Sequence, residues 1–144
     1  MTSVAFCPLF DAVNPLALGI QLRRQPIVVS APSEASRWVT HVAAQLSHTA
    51  DPLLLVFSGQ TAIHAPAIGF SRRALRRPAI GYVLVDPAMP TIGGDYGDWP
   101  DAPVTVVLSD TPPDFAREAS LQARLRGWTV TQDSLQDVLR EHAG

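Results

Sequence analysis

The sequence predicts an α/β protein: a sheet of mostly parallel strands with helices on both faces, forming a three-layer sandwich. Three observations carry this. Short apolar runs alternate with amphipathic stretches six times in 144 residues. The central run, Leu53-Leu54-Leu55-Val56-Phe57, is apolar without alternation, as expected of a strand covered on both faces. The connections between apolar runs are long enough for crossovers and mostly helix-forming, which points to βαβ units.

Taken in order, Ser3-Val4-Ala5-Phe6-Cys7 is a short apolar strand stopped by Pro8. Asn14-Pro15 reads as an N-cap with proline in the first turn, and predicts a helix to about Arg24. Residues 26–30 form the second strand. Ser33-Glu34-Ala35-Ser36 opens a helix to about Leu46, with Trp38, Val42 and Leu46 on one face. The third strand is the central run. Its helix extends from Gly59 to about Arg77, with Pro66 kinking it or marking an irregular first turn. Residues 80–85 are the fourth strand, closed by Asp86-Pro87. A loop rich in Gly, Pro and Asp spans 88–102. Residues 104–108 are the fifth strand, and Pro112-Pro113-Asp114 leads into a helix to about Arg126. Gly127-Trp128-Thr129-Val130 is the last strand, and residues 134–142 the closing helix.

Composition bounds the function. A hydrophobic fraction of 47% with 17% charged residues describes one globular domain. A net charge of −2 argues against nucleic acid as a partner. No apolar run is long enough to span a bilayer, so no membrane role is expected. The N-terminus lacks the basic flank of a signal peptide, and Cys7 is the lone cysteine. Both point to a reducing cytoplasm. There is no phosphate-binding glycine motif and no cluster with metal-ligand spacing, so neither cofactor nor metal is expected.

The candidate chemistry centres on Ser58. The chain turns abruptly from strand to helix there, which sets a hydroxyl over the carboxyl edge of the sheet, facing free backbone N–H groups. That is the setting of a nucleophile elbow, usually Gly-x-Ser-x-Gly. Here the flanking glycines are replaced by Val56 and Gln60. The alternative for Ser58 is a helix N-cap. Asp86 and Asp110 each follow a strand; both also sit before prolines, where aspartate commonly shapes turns. Tyr96 and Trp99 in the long loop lie at the ligand-binding edge of open α/β sheets, as pocket walls or as anchors of the loop. Ser71-Arg72-Arg73-Ala74-Leu75-Arg76-Arg77 reads as a solvated helix end or as a dock for phosphate or an acidic carrier protein.

Val4-Ala5-Phe6-Cys7-Pro8-Leu9, residues 26–31, Leu53-Leu54-Leu55-Val56-Phe57-Ser58-Gly59, Gly81-Tyr82-Val83-Leu84-Val85-Asp86, Val104-Thr105-Val106-Val107-Leu108-Ser109-Asp110 and Gly127-Trp128-Thr129-Val130 follow one another as the third to eighth strands of an α/β-hydrolase do. The chain therefore resembles a shortened α/β-hydrolase. The first two antiparallel strands have no counterpart, and the lid is reduced to the loop 88–102. The resemblance implies the strand order 2-1-3-4-5-6. It implies Ser58 as nucleophile, an oxyanion hole from the backbone of Gly59 and Leu9, and Asp110 or Asp86 as the acid. It further implies a pocket of Phe57, Gln60 and Phe10 with Tyr96 and Trp99. The family's histidine belongs in the loop after the last strand, which here is Thr131-Gln132-Asp133. His41, His48, His64 and His142 all fall elsewhere.

The implied function is an enzyme acting on a small acyl or polyketide-like metabolite through the serine and oxyanion hole. With the histidine missing, slow hydrolysis or a non-hydrolytic reaction such as cyclisation is expected. The alternative is a catalytically degenerate protein that binds a small molecule or serves as an interaction subunit. A homodimer would cover the edge bared by the missing strands.

Overall fold

The computed structural model describes residues 2–8, 20–89 and 102–143. Six strands form one sheet: β1 (Ser3–Phe6), β2 (Ile27–Val28), β3 (Leu53–Ser58), β4 (Gly81–Val85), β5 (Val104–Val107) and β6 (Thr129–Thr131). Their order is β2-β1-β3-β4-β5-β6, and all five pairings are parallel. Four α-helices lie among the described residues: α1 (Trp38–Leu46), α2 (Ala65–Ala74), α3 (Asp114–Leu125) and α4 (Leu135–Ala143).

β3 is buried along its whole length, and its side chains divide between two cores. Leu53, Leu55 and Phe57 pack with Trp38, Val42 and Leu46 of α1 and with Ala65 and Ile68 of α2. Leu54 and Val56 point the other way, toward Val138 and Leu139 of α4. Each buried leucine contributes about 1.5–3 kcal/mol relative to exposure. The unbroken apolar run is thus the consequence of helices on both faces.

Pro66 occupies the first turn of α2, where its missing N–H costs nothing. The preceding residues, Gly59–His64, wind as a 3-10 helix. The predicted helix thus begins irregularly, and its α-helical part starts at Ala65.

Two expectations fail. The helix predicted to reach Arg24 does not: residues 20–24 are irregular. Ile20 and Leu22, two residues apart, both pack against the α4 core. The Gln136 side chain bonds both the N–H (2.8 Å) and the carbonyl (2.7 Å) of Gln21. Irregular backbone, held at Gln21 by a side-chain amide, therefore replaces helix. The rest of that helix prediction falls on residues 14–19, outside the described residues. The second strand is also shorter than 26–30. Pro26 has no N–H to give, and Ser30 turns its backbone N–H to the Gln45 side chain.

One arginine of the 71–77 run is a structural member. Arg72 is 1% exposed, and its guanidinium donates to the carbonyls of Leu46 (2.9 Å), Thr49 (3.1 Å) and Asp51 (3.4 Å). It caps the chain leaving α1, where carbonyls lack helical partners. Asp51 is tied further by Arg24 (2.8 Å) and by the Ser3 hydroxyl (3.3 Å).

Candidate functional site

The strand order reverses between β1 and β3, since β2 lies on one side of this pair and β4, β5 and β6 on the other. Open α/β sheets bind ligands outside the carboxyl ends of the strands at such a point. β1 ends there in Phe6, followed by Cys7 and Pro8, and β3 ends in Ser58.

Ser58 is the last residue of the β3 ladder, opposite Val85. Its backbone is extended, with φ −139° and ψ 149°. The left-handed residue is Gly59, at φ 54°. A built Cβ on Gly59 would meet nothing within 4 Å, so conformation and not space favours glycine there. The turn is absorbed one residue late, and the serine backbone is unstrained. The left-handed residue at this strand-to-helix turn is therefore Gly59 and not Ser58.

The Ser58 hydroxyl oxygen is buried and has no hydrogen-bond partner among the described residues. Alternation along β3 sets it on the α4 face, with Leu54 and Val56. Register extends this row across the sheet: Ser58, Val85, Val107, Thr131. A cleft of about 380 Å³ opens on the same face over the ends of β4, β5 and β6. Its apolar part includes Val85, Val107 and Leu135, and its polar part includes Asp110, Asp133 and Ser134. The Ser134 hydroxyl accepts the Asp137 N–H (3.2 Å) and so caps α4. Strand spacing of about 4.8 Å sets Ser58 one strand beyond Val85 and about 10 Å from Val107.

Asp110 is exposed on the cleft rim, two strands away from Ser58, with no contact between them. Asp86 has a different task. It adopts φ 44°, and its Oδ1 accepts the Ser109 N–H at 2.9 Å. Its own N–H bonds the Val107 carbonyl (2.9 Å), so it braces the ends of β4 and β5 as a turn aspartate does. Phe57 is fully buried and packs on Trp38 (6.3 Å between ring centroids) on the face opposite Ser58. It belongs to the core and not to a pocket. Gln60 is exposed. Leu9, Phe10, Tyr96 and Trp99 lie outside the described residues.

No histidine joins the Ser58 row. His64 stacks on Trp38 at 5.1 Å, within the α1–α2 side of the sheet. His41 Nε2 takes a hydrogen bond from Gln45 Nε2 (2.6 Å). His48 and His142 are exposed. Cys7 is fully buried, and burial pushes its thiol pKa far up, so it is no nucleophile.

Burial also holds the pKa of His64 below the ordinary histidine value of 6.5. The unfolded chain then binds this proton more readily than the folded one. The stability contributed by neutral His64 is complete above pH 6.5 and declines as pH falls through 6.5 toward the folded pKa. His64→Phe keeps a ring against Trp38 and should flatten that part of the profile. Identical urea midpoints of both proteins relative to pH 7.5, measured down to pH 5, would refute this assignment.

The polar residues of the cleft that sequence reasoning missed are Ser109, Gln132, Asp133 and Ser134. Their signal was position alone, because every loop after a parallel strand reaches the carboxyl edge. Among the described residues no three His, Cys, Asp or Glu side chains converge to hold a metal ion. No helix among them is long and apolar enough to cross a membrane.

The fold and site together define a small, all-parallel α/β three-layer protein with a cleft on the carboxyl edge. No known family model, curated protein or solved structure matches the chain.

Proposed function

We propose that the protein binds a small acyl or polyketide-like metabolite along the carboxyl edge, without Ser–His–Asp turnover. One observation carries this reading. The Ser58 hydroxyl is buried, lacks a partner among the described residues, and stands at the switch point, one strand beyond Val85 at the margin of the cleft. An unsatisfied buried hydroxyl costs about 1–3 kcal/mol, and a ligand carbonyl accepting its proton removes that cost. Val85, Val107 and Leu135 offer apolar surface to the body of such a ligand.

Serine-based acyl chemistry is the second reading, favoured by the place of Ser58 at the end of a central strand. Among the described residues no histidine stands beside Ser58 as a base, since His64 belongs to the other face. Without a base the hydroxyl is a weak nucleophile.

Intact mass after incubation with a reactive fluorophosphonate separates the two. Binding without turnover expects no adduct on wild type or Ser58→Ala. A phosphonyl adduct on wild type alone would restore the enzyme. Ser58→Ala should also leave the free protein as stable or up to about 1 kcal/mol more stable, because it deletes an unpaired polar group. Binding of short-chain acyl thioesters and lactones, followed by ligand-observed NMR, should weaken about tenfold in the same variant.

A further inference from the structure

The end of the molecule opposite the carboxyl-edge cleft carries a second surface. α2 finishes in a Schellman turn: the Arg77 N–H bonds the Arg72 carbonyl (3.0 Å), and the Arg76 N–H bonds the Arg73 carbonyl (2.9 Å). The left-handed position of this motif is normally glycine. Here it is Arg76, at φ 60°. A side chain is retained where the backbone favours its absence.

That side chain borders a cleft of about 330 Å³ at the amino edge of the sheet. Arg77 stands beside it, and Pro52, Pro78 and Ile80 supply apolar walls. Arg73, Arg76 and Arg77 are exposed, and none makes an ion pair among the described residues. Asp51 also lines the cleft, but its carboxylate is engaged by Arg24 and Ser3. Leu75 and Ile80 are 44% and 42% exposed between and beside the arginines. Within residues 73–80, three exposed arginines without an ion pair among the described residues thus lie close in sequence to two exposed aliphatic side chains, in a chain whose net charge is −2.

One or two cations suffice to complement a helix C-terminus. The apolar component has no such explanation, and it decides the partner. A phosphate backbone would use the arginines and leave Leu75 and Ile80 wet. A protein segment carrying both carboxylates and an apolar anchor uses both. We propose that this face docks a partner protein through an acidic amphipathic segment. An apolar anchor enters the cleft at Ile80, and carboxylates meet Arg73, Arg76 and Arg77.

The test is a fluorescence anisotropy titration of the full chain with a labelled helical peptide of Leu and Glu. Controls are the matching Leu/Lys peptide, poly-glutamate and duplex DNA. The Leu/Glu peptide should bind, and should weaken with added salt. Arg76→Glu/Arg77→Glu and Ile80→Ser should each weaken it about tenfold or more. Arg76→Gly should lose affinity while its melting temperature holds or rises, which separates lost docking from lost folding. Equal binding of poly-glutamate would reduce the face to an anion patch and overturn the proposal. So would DNA binding that depends on the same arginines, or Leu/Glu binding no tighter than Leu/Lys.

Discussion

Replacing Arg72 with alanine should destabilise the protein by about 3–5 kcal/mol and lower its melting temperature by on the order of 10 °C. The guanidinium is 1% exposed and serves three carbonyls on the chain that leaves α1 for β3. Alanine strands those carbonyls in a place water enters poorly, and leaves the volume of the side chain empty. Burial, aided by Arg77, already lowers the Arg72 pKa, so the site opposes the charge and tolerates it for the hydrogen bonds it makes. Arg72→Lys retains the charge but has no planar fork to span carbonyls from three residues. It should recover less than half of the loss. Chemical denaturation of the three proteins decides the matter. A loss below about 1 kcal/mol for Arg72→Ala would mean that solvent reaches the carbonyls and that the arginine is dispensable.

Trp38→Ala should cost a comparable amount, about 3–5 kcal/mol. Trp38 is 1% exposed and links three elements at the carboxyl edge. Its ring packs on Phe57 of β3, stacks on His64, and donates its indole N–H to the Pro8 carbonyl at 3.2 Å. The last contact fixes the end of β1 at the switch point. Trp38→Phe keeps most of the apolar packing and strands the Pro8 carbonyl, so it should cost about 1–2 kcal/mol. The difference between the two variants isolates packing from the hydrogen bond. Equal losses would show that the indole N–H carries the site. A Phe variant as stable as wild type would show that it carries nothing.

Much of the architecture was readable because its signals are local. Pro8 and Pro52-Leu53 bound their strands, and Trp38, Val42 and Leu46 recur at helical spacing. The unbroken apolar run of β3 announces two covered faces. The strand order 2-1-3-4-5-6, implied by the resemblance to an α/β-hydrolase, stands in the structure. Pro66 marked the irregular start of α2 for the same reason, since a missing N–H is tolerated only in a first turn.

The site was less legible because its terms are nonlocal. Residues 20–24 carry helical-looking sequence, yet Gln136, more than a hundred positions later, holds the backbone of Gln21 out of a helix. Asp86 read either as a catalytic acid or as a turn residue before Pro87, and the hydrogen bond it accepts from the Ser109 N–H is that of the turn. In sequence Arg72 is one arginine among four; its burial depends on where α1 happens to end. His64 lies six residues from Ser58 along the chain. The pleat of β3 turns the serine to one side of the sheet, while the 3-10 helix and Trp38 hold the imidazole on the other. Sequence alone determined the periodicities, and with them the strands, the helices and their order. Tertiary structure alone decided which polar groups meet, because a side chain's partner is set by the face it occupies and by what packs there from distant parts of the chain.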